Sequence, residues 1–225
     1  EGYSTMCGHA VIALAKMTLD TGLIEKEGRH PVLKMDTPAG RVTATARRVD
    51  GRVKNVSFIN VPSFVFTSGK KVEVPDLGRV HYDVAFGGAF YAFCDAEEIG
   101  LKLNRTHYQA IIDAGRRIKY AVMDELEIEH PFTEDLGFLY GTILVGPSEN
   151  PAHHSRNVCV FAEGEVDRSP TGTGVSARAA LHHFHGELNV GEAIVIESIL
   201  GTHFKVRVME ETKFGPYPAV IPEVS

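Results

Sequence analysis

The chain has 225 residues, 44% of them hydrophobic and 23% charged, the balance of an ordinary soluble globular protein. A net charge of −6 argues against a nucleic-acid or anionic-membrane surface. No apolar run approaches the roughly 20 residues that span a bilayer, and 225 residues are enough to bury one large or two small cores.

From the start, the run His9 to Leu19 after Gly8 predicts a helix rich in Ala, Leu and Met, stopped near Asp20-Thr21-Gly22. It is apolar on nearly every side, as expected of a helix enclosed by sheet. Extended segments follow at Val32–Asp36 and Arg41–Arg48, separated by Thr37-Pro38-Ala39-Gly40. Asp50-Gly51 is a two-residue hairpin signal with Val53–Ile59 as the returning strand. Val61–Phe66, Lys71–Val74 and Val80–Phe86 read as further strands, and Gly87-Gly88 turns into another, Ala89–Phe93. The long amphipathic helix is placed at Thr106–Glu127, with Ile111, Ile112, Ile118, Val122 and Leu126 on its apolar side. Strands Phe138–Val145 and Asn157–Phe161 lead to a second apolar helix, Val175–Phe184.

Two loops open the apolar helices alike: Met6-Cys7-Gly8-His9-Ala10 and Asp167-Arg168-Ser169-Pro170-Thr171-Gly172-Thr173-Gly174. Aligned without gaps, Cys7 falls on Thr171, Gly8 on Gly172, His9 on Thr173 and Val11 on Val175. The segments behind them also match, Ala193–Ser198 and Thr202–Met209 echoing Val32–Asp36 and Arg41–Ala46. An offset of 164 residues between Cys7 and Thr171 indicates an internal duplication into two lobes and not a solenoid. The expected architecture is α/β (α+β), each lobe a curled sheet around a central helix, with lobes at residues 1–90 and 91–225 and the site in the cleft.

At the first loop, free backbone N–H groups and the positive helix end favour a thiolate at Cys7. Together the N–H groups around Gly8-His9 and Gly172-Thr173 form nests suited to a carboxylate. A ligand anchored there would hold its α-carbon between Cys7 and Thr171. The bland alternatives are a buried small hydrophobe at Cys7 and a plain cap at Gly172-Thr173-Gly174, which lacks the Lys and spacing of a P-loop. Matching of the two loops favours function.

Met-Cys-Gly-His at 6–9 and Asp-Arg-Ser-Pro-x-Gly-Thr-Gly at 167–174 resemble the signature loops of the proline racemase family. Supporting matches are Asp36-Thr37-Pro38-Ala39-Gly40, Val61-Pro62-Ser63-Phe64, the run 83–91 and Ile221-Pro222-Glu223-Val224-Ser225. The resemblance implies a diaminopimelate epimerase-like fold, no cofactor, a small-molecule hydroxyproline substrate and a homodimer. Family members are longer at both ends, and the first residue is Glu1 and not Met, so the chain reads as a fragment or short form. Racemases of the family carry Cys at both loop positions; here Thr171 replaces the second, and that pairing is similar to the trans-3-hydroxy-L-proline dehydratase branch. Carried over, Asp167 contacts the substrate nitrogen, His9 and Gly8 bind substrate beside the thiol, Gly172 and Thr173 complete the nest, and Phe161 walls the pocket. Cys7 and Thr171 are the candidate catalytic pair, with the role of Thr171 open between hydroxyl donor and space-filler. Rival expectations are a proline or hydroxyproline racemase or epimerase of the same family, and an inactive truncated form.

Cys7, Cys94 and Cys159 are widely spaced and include no CxxC pair, which indicates free thiols in a reducing compartment, taken as the cytoplasm. Cys94 and Cys159 read as packed thiols. Eleven histidines raise the question of a metal, at His153-His154 and at His182, His183 and His185. No Cys or carboxylate set completes a recognisable site, and surface histidine at a helix end is the expectation.

Overall fold

The computed structural model describes residues 3–225; Glu1, on which part of the expectation about the N-terminus rests, lies outside the described residues. Three α-helices are described: α1 (Gly8–Asp20), α2 (Tyr108–Glu125) and α3 (Gly172–Phe184). Twelve strands accompany them. These are β1 (Val32–Thr37), β2 (Gly40–Val49), β3 (Arg52–Ile59), β4 (Ser63–Val74), β5 (Gly78–Phe86) and β6 (Phe90–Asp95), then β7 (Leu139–Gly146), β8 (Ser155–Phe161), β9 (Glu165–Val166), β10 (Ala193–Glu197), β11 (His203–Phe214) and β12 (Tyr217–Val224).

All but β9 lie along one hydrogen-bonded path, β1-β2-β3-β12-β11-β10-β8-β7-β6-β5-β4, and β12 also pairs with β4. That last pairing, Ala219 with Phe64 and Val220 with Ser63, closes eight strands into a ring. Helix α3 runs inside it, and every residue from Gly172 to Leu181 is buried. Its sequence is small because its surroundings are close: a Cβ on Gly174 would lie 2.4 Å from Ile143 Cδ1. The β5–β6 turn approaches as tightly. A Cβ on Gly87 would meet the Thr173 carbonyl oxygen at 2.2 Å, so only glycine lets the turn reach the first turn of α3.

Strands β1 to β3 extend from β12 and carry α1, which packs on β2 and β3. Asp50 (φ 51°) and Gly51 (φ 76°) are both left-handed, the requirement of the tight hairpin that the sequence predicts. The expectation that α1 is enclosed on nearly all sides does not hold. Val11, Ala15 and Leu19 form one buried stripe, whereas Leu14 and Met17 are 46% and 49% exposed, because β2 and β3 cover one side only. The expected lobe boundary between residues 90 and 91 falls within β6.

Two expected strands, Val61–Phe66 and Lys71–Val74, are a single one. Strand β4 continues through register shifts at Val65–Thr67 and Thr67–Lys70, where Gly69 takes φ 67° and the Asp83 carboxylate accepts from the Ser68 hydroxyl and the Gly69 N–H.

Helix α2 lies outside the ring against β4, β7 and β8, with Ile111, Ala114, Gly115, Ile118 and Val122 inward. Gly115 sets the spacing, since a Cβ there would lie 2.5 Å from Val160 Cβ. Helix propensity favours alanine by about 1 kcal/mol, but overpacking against a branched carbon on a strand costs about 1–3 kcal/mol. Gly115→Ala is therefore expected to lower the urea midpoint at unchanged slope; an equal or higher midpoint would show that α2 shifts freely.

Candidate active site

Both signature loops end at helix N-termini that meet head to head. A Cβ on Gly8 would lie 2.8 Å from Gly172 Cα, and one on Gly172 would lie 2.9 Å from Gly8 Cα. Neither position tolerates a side chain, and the packing brings two sets of unpaired N–H groups and two positive helix ends to one place. Like partial charges held together favour an anion between them.

Beside this contact is a cavity of about 300 Å³. Its lining includes Cys7, Gly8, His9, Phe161, Asp167, Thr171, Gly172 and Thr173, so the two loops, 164 residues apart, converge on one space. Cys7 is the residue before α1, extended at φ −124° and ψ 111°, and it is exposed, whereas Cys94 and Cys159 are buried. Burial drives the thiols of Cys94 and Cys159 well up from their ordinary range. An aromatic disulfide reagent is expected to titrate one thiol in the native protein and three in denaturant. More than one in the native protein would contradict the packing around β6 and β8.

Asp167 organises the second loop. Its carboxylate accepts the Ser169 N–H at 2.8 Å and the Thr171 hydroxyl at 2.9 Å, and it lies 3.6 Å from His9 Nδ1. Thr171 sits at φ 68° and ψ 105°, a backbone conformation unusual for a β-branched residue. Its N–H is held by the Ser169 hydroxyl at 2.9 Å, and its carbonyl accepts from Val175 at 2.8 Å. Thr173, expected to complete the nest through its backbone N–H, has its hydroxyl on Tyr91 Oη at 2.7 Å. Burial raises the Tyr91 phenol well above its ordinary range, so it stays protonated at neutral pH. Phe161 stacks on Tyr140, centroids 5.4 Å apart and planes 13° apart.

Sequence reasoning missed Tyr91, Tyr140, Ser4, Val166 and Arg168 as lining residues. Tyr91 lay in the matched run 83–91 and Arg168 in the second signature loop, both without an assigned role; Tyr140 gave no signal beyond a strand aromatic. The histidines face other groups: His153 pairs with Glu197 at 2.7 Å and His183 with Glu211 at 3.2 Å. His182 is not at the surface as expected. Its side chain is 14% exposed and lies between Arg178 and Glu187. No helix among the described residues is long and apolar enough to cross a membrane.

A helix threaded through a closed sheet, with a second helix meeting it end to end over a cavity, defines a mixed α/β protein of the diaminopimelate epimerase-like fold. The chain belongs to the proline racemase family, whose model, Proline racemase, matches residues 1–225. It is 48% identical over its whole length to a trans-3-hydroxy-L-proline dehydratase of Colwellia psychrerythraea, of which it spans 63%. It is 38% identical, again over its whole length, to a proline racemase of Clostridioides difficile, of which it spans 67%. The crystal structure of a hydroxyproline epimerase from Agrobacterium vitis with bound trans-4-OH-L-proline superposes with a TM-score of 0.93 at 29% identity, covering 98% of this chain and 63% of that one.

Proposed function

We propose that this chain carries the site of a trans-3-hydroxy-L-proline dehydratase, in which Cys7 is the base of a cofactor-independent elimination of water. The observation that carries this is the asymmetry of the cavity: a thiol stands at the end of α1, and a threonine whose hydroxyl is already given to Asp167 stands at the end of α3. A threonine hydroxyl is far too weak an acid to exchange protons with an α-carbon at neutral pH. Two-base racemisation is thereby disfavoured.

Stereochemistry makes one base sufficient. In trans-3-hydroxy-L-proline the hydroxyl lies opposite the carboxylate, hence on the same ring face as the α-hydrogen. The carboxylate sits between the nests at Gly8-His9 and Gly172-Thr173, and Asp167 holds the ring ammonium. The Cys7 thiolate takes the α-proton, and the N–H groups stabilise negative charge as it grows on the carboxylate, the kind of preorganised field that contributes most to such steps. The C3–O bond breaks, and the hydroxide leaves as water on a proton from Cys7 or His9. The enamine left behind tautomerises to Δ1-pyrroline-2-carboxylate. Phe161 walls the ring. The three unpaired cysteines support action in the reducing cytoplasm, and family resemblance supports a homodimer.

The direct test is incubation with trans-3-hydroxy-L-proline followed by o-aminobenzaldehyde, which gives a coloured adduct with the cyclic imine. Colour with this substrate and none with trans-4-hydroxy-L-proline is expected. No colour from a protein that melts cooperatively would overturn the dehydratase assignment.

A further inference from the structure

The conformation of Thr171 is held from behind. Its φ of 68° is strained for a β-branched residue, so neighbouring contacts must over-determine it. On the cavity side these are Asp167 and Ser169. On the opposite side the Pro170 carbonyl, one peptide away, accepts from Asn157 Nδ2 at 3.2 Å. Asn157 on β8 is wholly buried, and its Oδ1 accepts from Arg178 Nη1 at 2.8 Å. Arg178, two turns into α3 and 5% exposed, also donates to Ser155 Oγ at 3.0 Å and to His182 Nε2 at 2.8 Å. A guanidinium only donates, so His182 Nε2 accepts and its Nδ1 carries the proton, given to Glu187 at 2.6 Å.

No carboxylate touches Arg178 directly among the described residues. Its charge is balanced by amide, hydroxyl and imidazole dipoles, with Glu187 reached only through His182. A buried guanidinium so balanced is a costly way to fill space between a strand and a helix, where an apolar side chain would do. What it supplies is a fixed direction for the Asn157 amide, whose donor edge is then aimed at Pro170.

The geometry points to Asn157 and Arg178 as positioning residues for the second loop: a relay that runs from the exposed Glu187 through the half-buried His182 to the buried Arg178 and Asn157, holds Pro170–Thr171 and so sets the far wall of the cavity. Its kinetic consequence rests on the dehydratase function proposed above; its structural consequence does not. Asn157→Asp separates the two. The aspartate keeps an acceptor for Arg178, gains an ion pair with it, and sets an oxygen in place of the donor against the Pro170 carbonyl.

Hydrogen–deuterium exchange of the peptide spanning residues 168–174 is expected to quicken at least tenfold in Asn157→Asp, with exchange in 175–184 and the melting temperature unchanged. Turnover of trans-3-hydroxy-L-proline should fall at least tenfold in kcat with a smaller change in KM. In a Thr171→Gly background, where positive φ is free, the same substitution should lose most of its effect on kcat. Unaltered exchange in 168–174, or quickening spread evenly along α3, would overturn the relay whether or not the protein is active. A wild-type protein inactive on the substrate would instead overturn the functional assignment and leave the exchange result to decide the relay.

Discussion

Cys7→Ser is expected to lower kcat for dehydration about 10³-fold or more while binding of planar pyrrole-2-carboxylate changes by less than about threefold. General-base transfer contributes about 10²–10⁴-fold in enzymes generally, and a serine hydroxyl stays protonated where a thiol gives its thiolate. Serine is nearly the same shape. Cys7 is exposed at the end of α1 and its side chain caps no N–H, so the substitution opens no cavity and breaks no cap. The proposed anion nest would be made of backbone N–H groups where Gly8 and Gly172 meet, and so would not depend on the sulfur. Calorimetric titration with pyrrole-2-carboxylate beside a turnover assay checks both halves. Retained turnover would remove Cys7 as the base, and a parallel loss of binding would mean that the loop had collapsed.

Thr171→Cys should produce the opposite kind of change, a gained activity. With a thiol at the end of each helix, both faces of an α-carbon would meet a group able to exchange protons, and deuterium from solvent should enter the α-position of proline with inversion, an outcome not expected of the parent protein. The position is prepared for the exchange of side chains. Cysteine lacks the second Cβ branch, so φ 68° strains it less than threonine. The variant loses the hydroxyl bond to Asp167, leaving that carboxylate with the Ser169 N–H and the nearby His9. Dehydration is expected to persist, since Cys7 is untouched. A folded variant without deuterium wash-in would remove Thr171 from the second face.

The elements with strong local signals were legible in the sequence. The Asp50-Gly51 hairpin, α2 and the two loop-initiated helices follow from turn chemistry and helical period, and α1 and α3 start 164 residues apart as the loop alignment requires. What was lost depends on partners remote in sequence. Nothing local shows that β12 pairs with both β3 and β4 and thereby closes a ring, and Pro218 and Pro222, which lack donors, disguise β12 as loop. The exposed face of α1 was invisible for the same reason, because apolarity records what a helix can bury and not how many strands cover it. At the site, the loop alignment singled out Cys7 and Thr171 and the family resemblance added Asp167, and all three line one cavity. The Tyr91–Thr173 pair and the chain from Asn157 to His182 join segments up to 82 residues apart and have no sequence signature.

One-base elimination across an asymmetric Cys7/Thr171 cavity is tested most directly by proton NMR of trans-3-hydroxy-L-proline with the protein in deuterated water. Loss of the substrate signals with growth of Δ1-pyrroline-2-carboxylate, and no epimer at the α-carbon of remaining substrate, is the expected result. Deuterium at the α-carbon in an inverted product that keeps its hydroxyl would contradict it, and would mean that a second base works opposite Cys7 despite Thr171.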